Sequence, residues 1–161
     1  MSADLSDLIT ALEIEARTLV LPTFGEADAL ALGQALVAAG LARNLPIVIN
    51  IRGPNRTYFH AALPGSSPLN DLWAQRKSST ALMFHSASYL VGQRNLAKGA
   101  ALSSHGLDPD NYADHGGAVP VVVAGVGLVA VATVSGLPSA EDHALVVAAL
   151  KDAIARATPI V

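Results

Sequence analysis

The chain has 161 residues, enough for one domain with a real core, and 52% are hydrophobic against 14% charged, which excludes a disordered polymer. A net charge of −3 offers no basic stripe for nucleic-acid phosphates. The absence of cysteine excludes disulfides, thiolate nucleophiles and Cys-ligated metal or Fe–S centres.

In chain order, "SDLITALEIEAR" spaces Leu8, Ile9, Leu12 and Ala16 as a helix does, with Ser6 as its expected N-cap. The acidic start "MSADLSDLITALEIEA" lacks the basic and apolar regions of a signal peptide, so a cytoplasmic protein is expected. "TLVLP", residues 18–22, is a short β-like run, and "GEADALALGQALVAAGLARNLP" is a second helix with acids in its first turn. Gly33 inside that helix suggests a close neighbour.

"IVINIRGPNRTYFHAAL" predicts a β-hairpin about Gly53-Pro54-Asn55. With Arg52 opposite Arg56, alternation sends Ile47, Ile49, Ile51, Phe59 and Ala61 to the core. Asn50, Arg52, Arg56, Tyr58 and His60 then share the other, polar face. "GSSPLNDLWAQRKSSTALMFHSASYLVG" opens a long helix, with Ser67 as N-cap and Pro68 at its first position. Trp73, Lys77, Thr80 and Phe84 fall on one stripe, where Lys77 is expected to snorkel at the rim. Residues 92–118 read as a long irregular connection.

The uncharged run Ala118–Leu137 is about 20 residues long, but its valines, its Pro and its glycines describe two strands and a turn, not a membrane span. "GVGLVA" fits a dinucleotide fingerprint in spelling only, because a strand and not a helix follows the glycines. His115-Gly116-Gly117 has no Gly-x-Ser-x-Gly nucleophile to serve. Asp142 and His143 are adjacent on the last predicted helix, so their side chains diverge by about 100° and form no triad pair. Ser139 is expected to cap that helix, with Glu141 and Asp142 at its positive end. The five histidines lack the short spacings of a metal site, and none is expected. The elements together predict an α+β layered domain with about five strands, mainly antiparallel, packed with helices.

Phe59-His60, Asn70-Asp71-x-Trp73-x-x-x-Lys77, "NYADHGGAVPVVV" and Ser135-Gly136-Leu137 followed by Asp142-His143 resemble the uncharacterised branch of the haem-degrading-domain superfamily. That superfamily also includes the glycolate-operon accessory proteins and a haem-sensing extracellular protein of actinobacteria. The likeness runs from about residue 20 to 155 and departs at Ala87, where the branch usually carries a second Ser. It implies a profilin-like fold, a single haem-degrading-like domain over residues 1–161, and a high-order homo-oligomer. A mean hydropathy of +0.43 points to the same burial of apolar surface between subunits.

The first functional reading is therefore an oligomeric binder of a small anionic ligand, with haem as the candidate cofactor. Arg52, His60 and Lys77 are its expected carboxylate partners, Gly116 and Gly117 its close backbone approach, and His60 or His115 the axial donor to iron. His143 completes the candidate set. The rival readings are an enzyme using His115 or His143 as acid or base on a small acid, and an oligomeric scaffold without ligand.

Overall fold

In the computed structural model, which describes residues 1–157, α1 (Ala3–Thr18) leads through β1 (Val20–Leu21) into α2 (Glu26–Ala42). A hairpin of β2 (Val48–Arg52) and β3 (Thr57–Ala62) follows, then α3 (Pro68–Phe84), α4 (Ser88–Lys98) and a 3-10 turn at Leu102–His105. A second hairpin, β4 (Ala118–Val123) and β5 (Gly127–Ser135), runs into α5 (Ser139–Ala157). The strands form one sheet in the order β1-β4-β5-β2-β3, antiparallel except where β1 lies parallel to β4. This is the α+β fold expected.

Strand alternation gives the sheet two chemically different faces. Ile47, Ile49, Ile51, Val119, Val121, Ala130, Ala132 and Val134 join Leu32 and Leu36 of α2 and Val146 and Leu150 of α5 in the main core. The aromatic ring of Phe59 lies on Gly33 so closely that a β-carbon there would overlap it, which accounts for the helix-interior glycine. The opposite face is covered by α3, through Ala81 against Ala118 and Val131. It carries Asn50, Arg52, His60 and Thr133, and the polar chemistry collects there.

The first hairpin pairs Asn50 with His60 and Ile51 with Phe59, with a bulge before Arg52, which faces Thr57. The register is two residues from the one assumed. Because two is the period of the pleat, the partition of His60 and Phe59 between faces survives. The second hairpin turns at Gly125 and Gly127, both with positive φ (75° and 105°), and continues as strand β5. The dinucleotide spelling therefore has no helix behind it. Among the described residues no helix is long and apolar enough to cross a membrane.

Three local expectations need correction. The cap of α1 is Ser2, whose hydroxyl accepts from the Leu5 amide, and not Ser6. The long helix breaks at His85, which takes the left-handed conformation (φ 50°, ψ 39°), and α4 then occupies the first part of the expected loop. This helix escaped hydrophobic reading because Asn95 faces inward to Asp114 (2.8 Å) while Leu96 is 67% exposed. Finally, Ser139 is the first residue of α5 and not its cap. The Pro138 carbonyl accepts from Glu141 and Asp142, and the Asp142 carboxylate reaches back to the Gly136 and Leu137 amides.

Candidate functional site

Lys77 is where the sequence and the structure differ most. It is 3% exposed, not at a rim, because α3 lies across the sheet and carries the side chain inward. Its three ammonium protons are donated to the Gly116 carbonyl (2.9 Å), the Val134 carbonyl (2.8 Å) and Asp142 Oδ2 (3.0 Å). An ammonium has three donors, so none is left for a ligand carboxylate. Burial pushes the Lys77 ammonium below its ordinary value and the Asp142 carboxyl above its own, against the attraction each exerts on the other. The knot ties α3, the approach to β4, the end of β5 and the start of α5 at one point.

Gly116 and Gly117 belong to the same knot. A β-carbon on Gly116 would run into the Ser139 carbonyl, and one on Gly117 (φ 135°) into the Val134 carbonyl and Lys77 Nζ. Both glycines are thus accounted for by backbone crowding, without a ligand.

The knot holds His115 in place. Asn111 donates to Asp108, holding that carboxyl below the usual carboxylate range and turning the loop back. The Ala113 amide then donates to the Arg76 carbonyl and the Thr80 hydroxyl, and Asn95 grips Asp114. Gly92 leaves room for the Asp114 carbonyl against α4. His115 emerges from this pinned loop exposed, edge-on to Trp73 (4.8 Å), with no hydrogen bond on either ring nitrogen among the described residues. It stands between two clefts. One, of about 270 Å³, gathers Trp73, Lys77, Gly116, Ser135, Gly136 and Asp142, so that motifs far apart in the chain share one wall. The other, of about 470 Å³, runs between α3, α4 and the loop, and is lined by Arg76, Leu102 and Tyr112 among others. The Arg76 guanidinium lies over Trp73 (4.4 Å), and its Nε is buried without an acceptor.

Arg52 and His60 lie elsewhere, in a cleft of about 360 Å³ between the β2–β3 face and α3. His60 is held at both nitrogens, by Asn50 Nδ2 at Nδ1 (3.0 Å) and by Asp71 Oδ1 at Nε2 (2.6 Å). His143 is buried in a third place, with Nε2 on Glu15 (2.7 Å) and its ring beside Tyr89 (5.3 Å). The seven candidate residues therefore do not form one pocket. Arg52 and His60 share one cleft, Lys77, His115 and Gly116 line another, Gly117 packs inside the knot, and His143 is apart. Arg76 went unread in the sequence, while Asn50 was placed on the polar hairpin face and Asp71 in a motif of the resemblance without a ligand role for either. Each looks like an ordinary surface or strand polar residue, and only contact with a distant element distinguishes it. No group of His, Asp and Glu fit to hold a metal ion occurs among the described residues.

The chain is a five-stranded α+β layer whose α3 side carries polar clefts and whose other side is the main core. Residues 24–151 match the family described as "Haem degrading protein HbpS-like", and the chain belongs to that family. It is 50% identical over 151 residues to the UPF0303 protein SCO2848 of Streptomyces coelicolor, covering 93% of this chain and 96% of the relative. Among solved structures it is similar to the Ybr137w protein, with a TM-score of 0.81, 34% identity and coverage of 92% and 87% of the two chains. The PduOC:Heme complex shares the fold, with a TM-score of 0.67, 21% identity and coverage of 82% and 94%.

Proposed function

We propose that the protein is an oligomeric binder of a planar, anionic small molecule, with haem as the first candidate, acting as one domain through the cleft beside His115. The carrying observation is the pair His115 and Arg76. One is an exposed imidazole without hydrogen bonds, and the other a guanidinium without a carboxylate partner, among the described residues, at the wall of a 470 Å³ cleft. In a chain without cysteine, His115 is a suitable axial donor to haem iron, and Arg76 replaces Lys77 as the cation for a propionate. The cleft volume falls in the range of small-molecule sites. Bound haem would supply iron-centred redox chemistry; the chain itself supplies the imidazole, the cation and a pinned loop. The family membership and the haem complex formed by a protein of the same fold support this reading.

Titration with hemin, following the Soret band, tests it. Wild type and His60→Ala are expected to give the same red-shifted band, and His115→Ala to lose it. Arg76→Gln is expected to keep the band position and weaken affinity by about tenfold. No shift with wild type would remove haem binding from the protein, and an unchanged spectrum with His115→Ala would remove His115 as the donor. The oligomer is supported by the exposed apolar side chains Leu69, Leu72 and Met83 of α3 and Leu96 of α4.

A further inference from the structure

The cleft that holds Arg52 and His60 contains two opposite charges that are kept apart. Arg52 donates from Nε to the Ser78 hydroxyl (2.8 Å) and from Nη2 to the Ser79 hydroxyl (2.9 Å). Both partners are neutral, and among the described residues no carboxylate pairs with this part-buried guanidinium. Two hydroxyls fix its fork without cancelling its charge, and burial lowers its pKa with nothing to oppose the effect. Asp71 lies on the same cleft and would be the natural partner, yet its carboxylate is turned to His60, at 2.6 Å through Oδ1.

The tautomer of His60 follows from its neighbours. Asn50 Nδ2 donates to Nδ1, so Nε2 carries the proton and donates to Asp71. Asp71 Oδ1 accepts that hydrogen bond, and its Oδ2 makes none among the described residues. Asn50 is 9% exposed and lines the cleft, and its Oδ1 is a buried acceptor without a donor among the described residues. Thr133, its cross-strand neighbour on β5, also has a buried hydroxyl without a partner among the described residues. Neither atom is open to the cleft, so the groups left for a ligand there are the Arg52 guanidinium and Asp71 Oδ2.

We infer that this cleft binds a small zwitterionic α-amino acid, its carboxylate on Arg52 and its ammonium on Asp71 Oδ2. A simple carboxylate would answer Arg52 and leave Asp71 Oδ2 unmet. A phosphate dianion would meet Asp71 as a like charge. An ammonium and a carboxylate on one small molecule answer the cation and the anion together. At about 360 Å³, with Ala74 and Thr57 on its wall, the cleft suits a ligand with a short side chain. The site is separate from the His115 cleft and stands whether or not haem binds there.

Calorimetric titration of the full chain with L-alanine, L-lactate and propionate separates the contacts. L-Alanine is expected to bind saturably, with lactate and propionate at least about tenfold weaker, because each lacks the ammonium. Asp71→Asn retains an acceptor for His60 Nε2 but not the charge, and should bring L-alanine down to the level of lactate. Should that variant fail to fold, Gln75→Trp, at an exposed position on the cleft wall, is expected to abolish L-alanine binding while leaving the hemin titration unchanged. No saturable heat with L-alanine at millimolar concentration, or equal affinity for propionate, overturns the assignment.

Discussion

Lys77 and Asp142, 65 positions apart in the chain, meet at 3.0 Å with side chains only 4% and 2% exposed. Each is also bonded to the backbone of a third segment: Lys77 to the Gly116 and Val134 carbonyls, Asp142 to the Gly136 and Leu137 amides. Two ions have thus been taken out of water to join four pieces of chain. Burying such a pair adds little net stability against an apolar replacement, but breaking it leaves a charge with no solvent and no partner.

Lys77→Met is accordingly expected to cost about 3–5 kcal/mol. The double variant Lys77→Met/Asp142→Leu should recover part of that loss, since it removes both ions. Urea unfolding of wild type, both single variants and the double variant measures the coupling. Additive single costs would show that the two residues act independently.

The pH dependence of Lys77→Met has a definite sign. Burial already raises the Asp142 carboxyl above 3.8, and removing Lys77 takes away the attraction that opposes this. A raised folded pKa means that stability is fully present below the unfolded value and is lost as pH rises through the folded one. The deficit of the variant relative to wild type should therefore be largest near neutrality and shrink on acidification toward about pH 4. Denaturation midpoints across that range check it, and a deficit that grows in acid would contradict the assignment.

Gly116→Ala should be destabilising although it adds a single methyl group. The new β-carbon meets the Ser139 carbonyl, which is backbone and cannot swing aside. Overpacking of this kind costs about 1–3 kcal/mol. A thermal melt indistinguishable from wild type would mean that the loop shifts freely.

Ser139→Ala, by contrast, is expected to change stability by less than about 0.5 kcal/mol, as for a surface position. Its hydroxyl makes no hydrogen bond among the described residues, and the start of α5 is bound by Pro138 and Asp142 instead. A loss near 1 kcal/mol, the usual effect of deleting a cap, would restore Ser139 to that role.

Static light scattering at micromolar concentration should give a mass that is a multiple of 16.5 kDa. A clean monomer would leave the exposed leucines of α3 and α4 unexplained by assembly.

What local sequence determined was the set of elements and the side of the sheet each strand residue takes. Pro68 after Ser67, the valines around Gly125 and Gly127, and the alternation of Ile47, Ile49 and Ile51 act within a few residues, where propensity and the pleat dominate. The motifs that carry the family likeness were also legible as strings, and three of the four proved to line one wall. Their roles were not legible. Whether Lys77 snorkels or is buried depends on a carboxylate 65 positions away, and whether Arg52 has a counter-ion depends on where α3 places Ser78, Ser79 and Asp71. His60 and His143 lost their freedom to Asp71 and Glu15, while His115 kept its own. Charge, desolvation and hydrogen-bond satisfaction are set by neighbours in space, and only the tertiary structure brings those neighbours together.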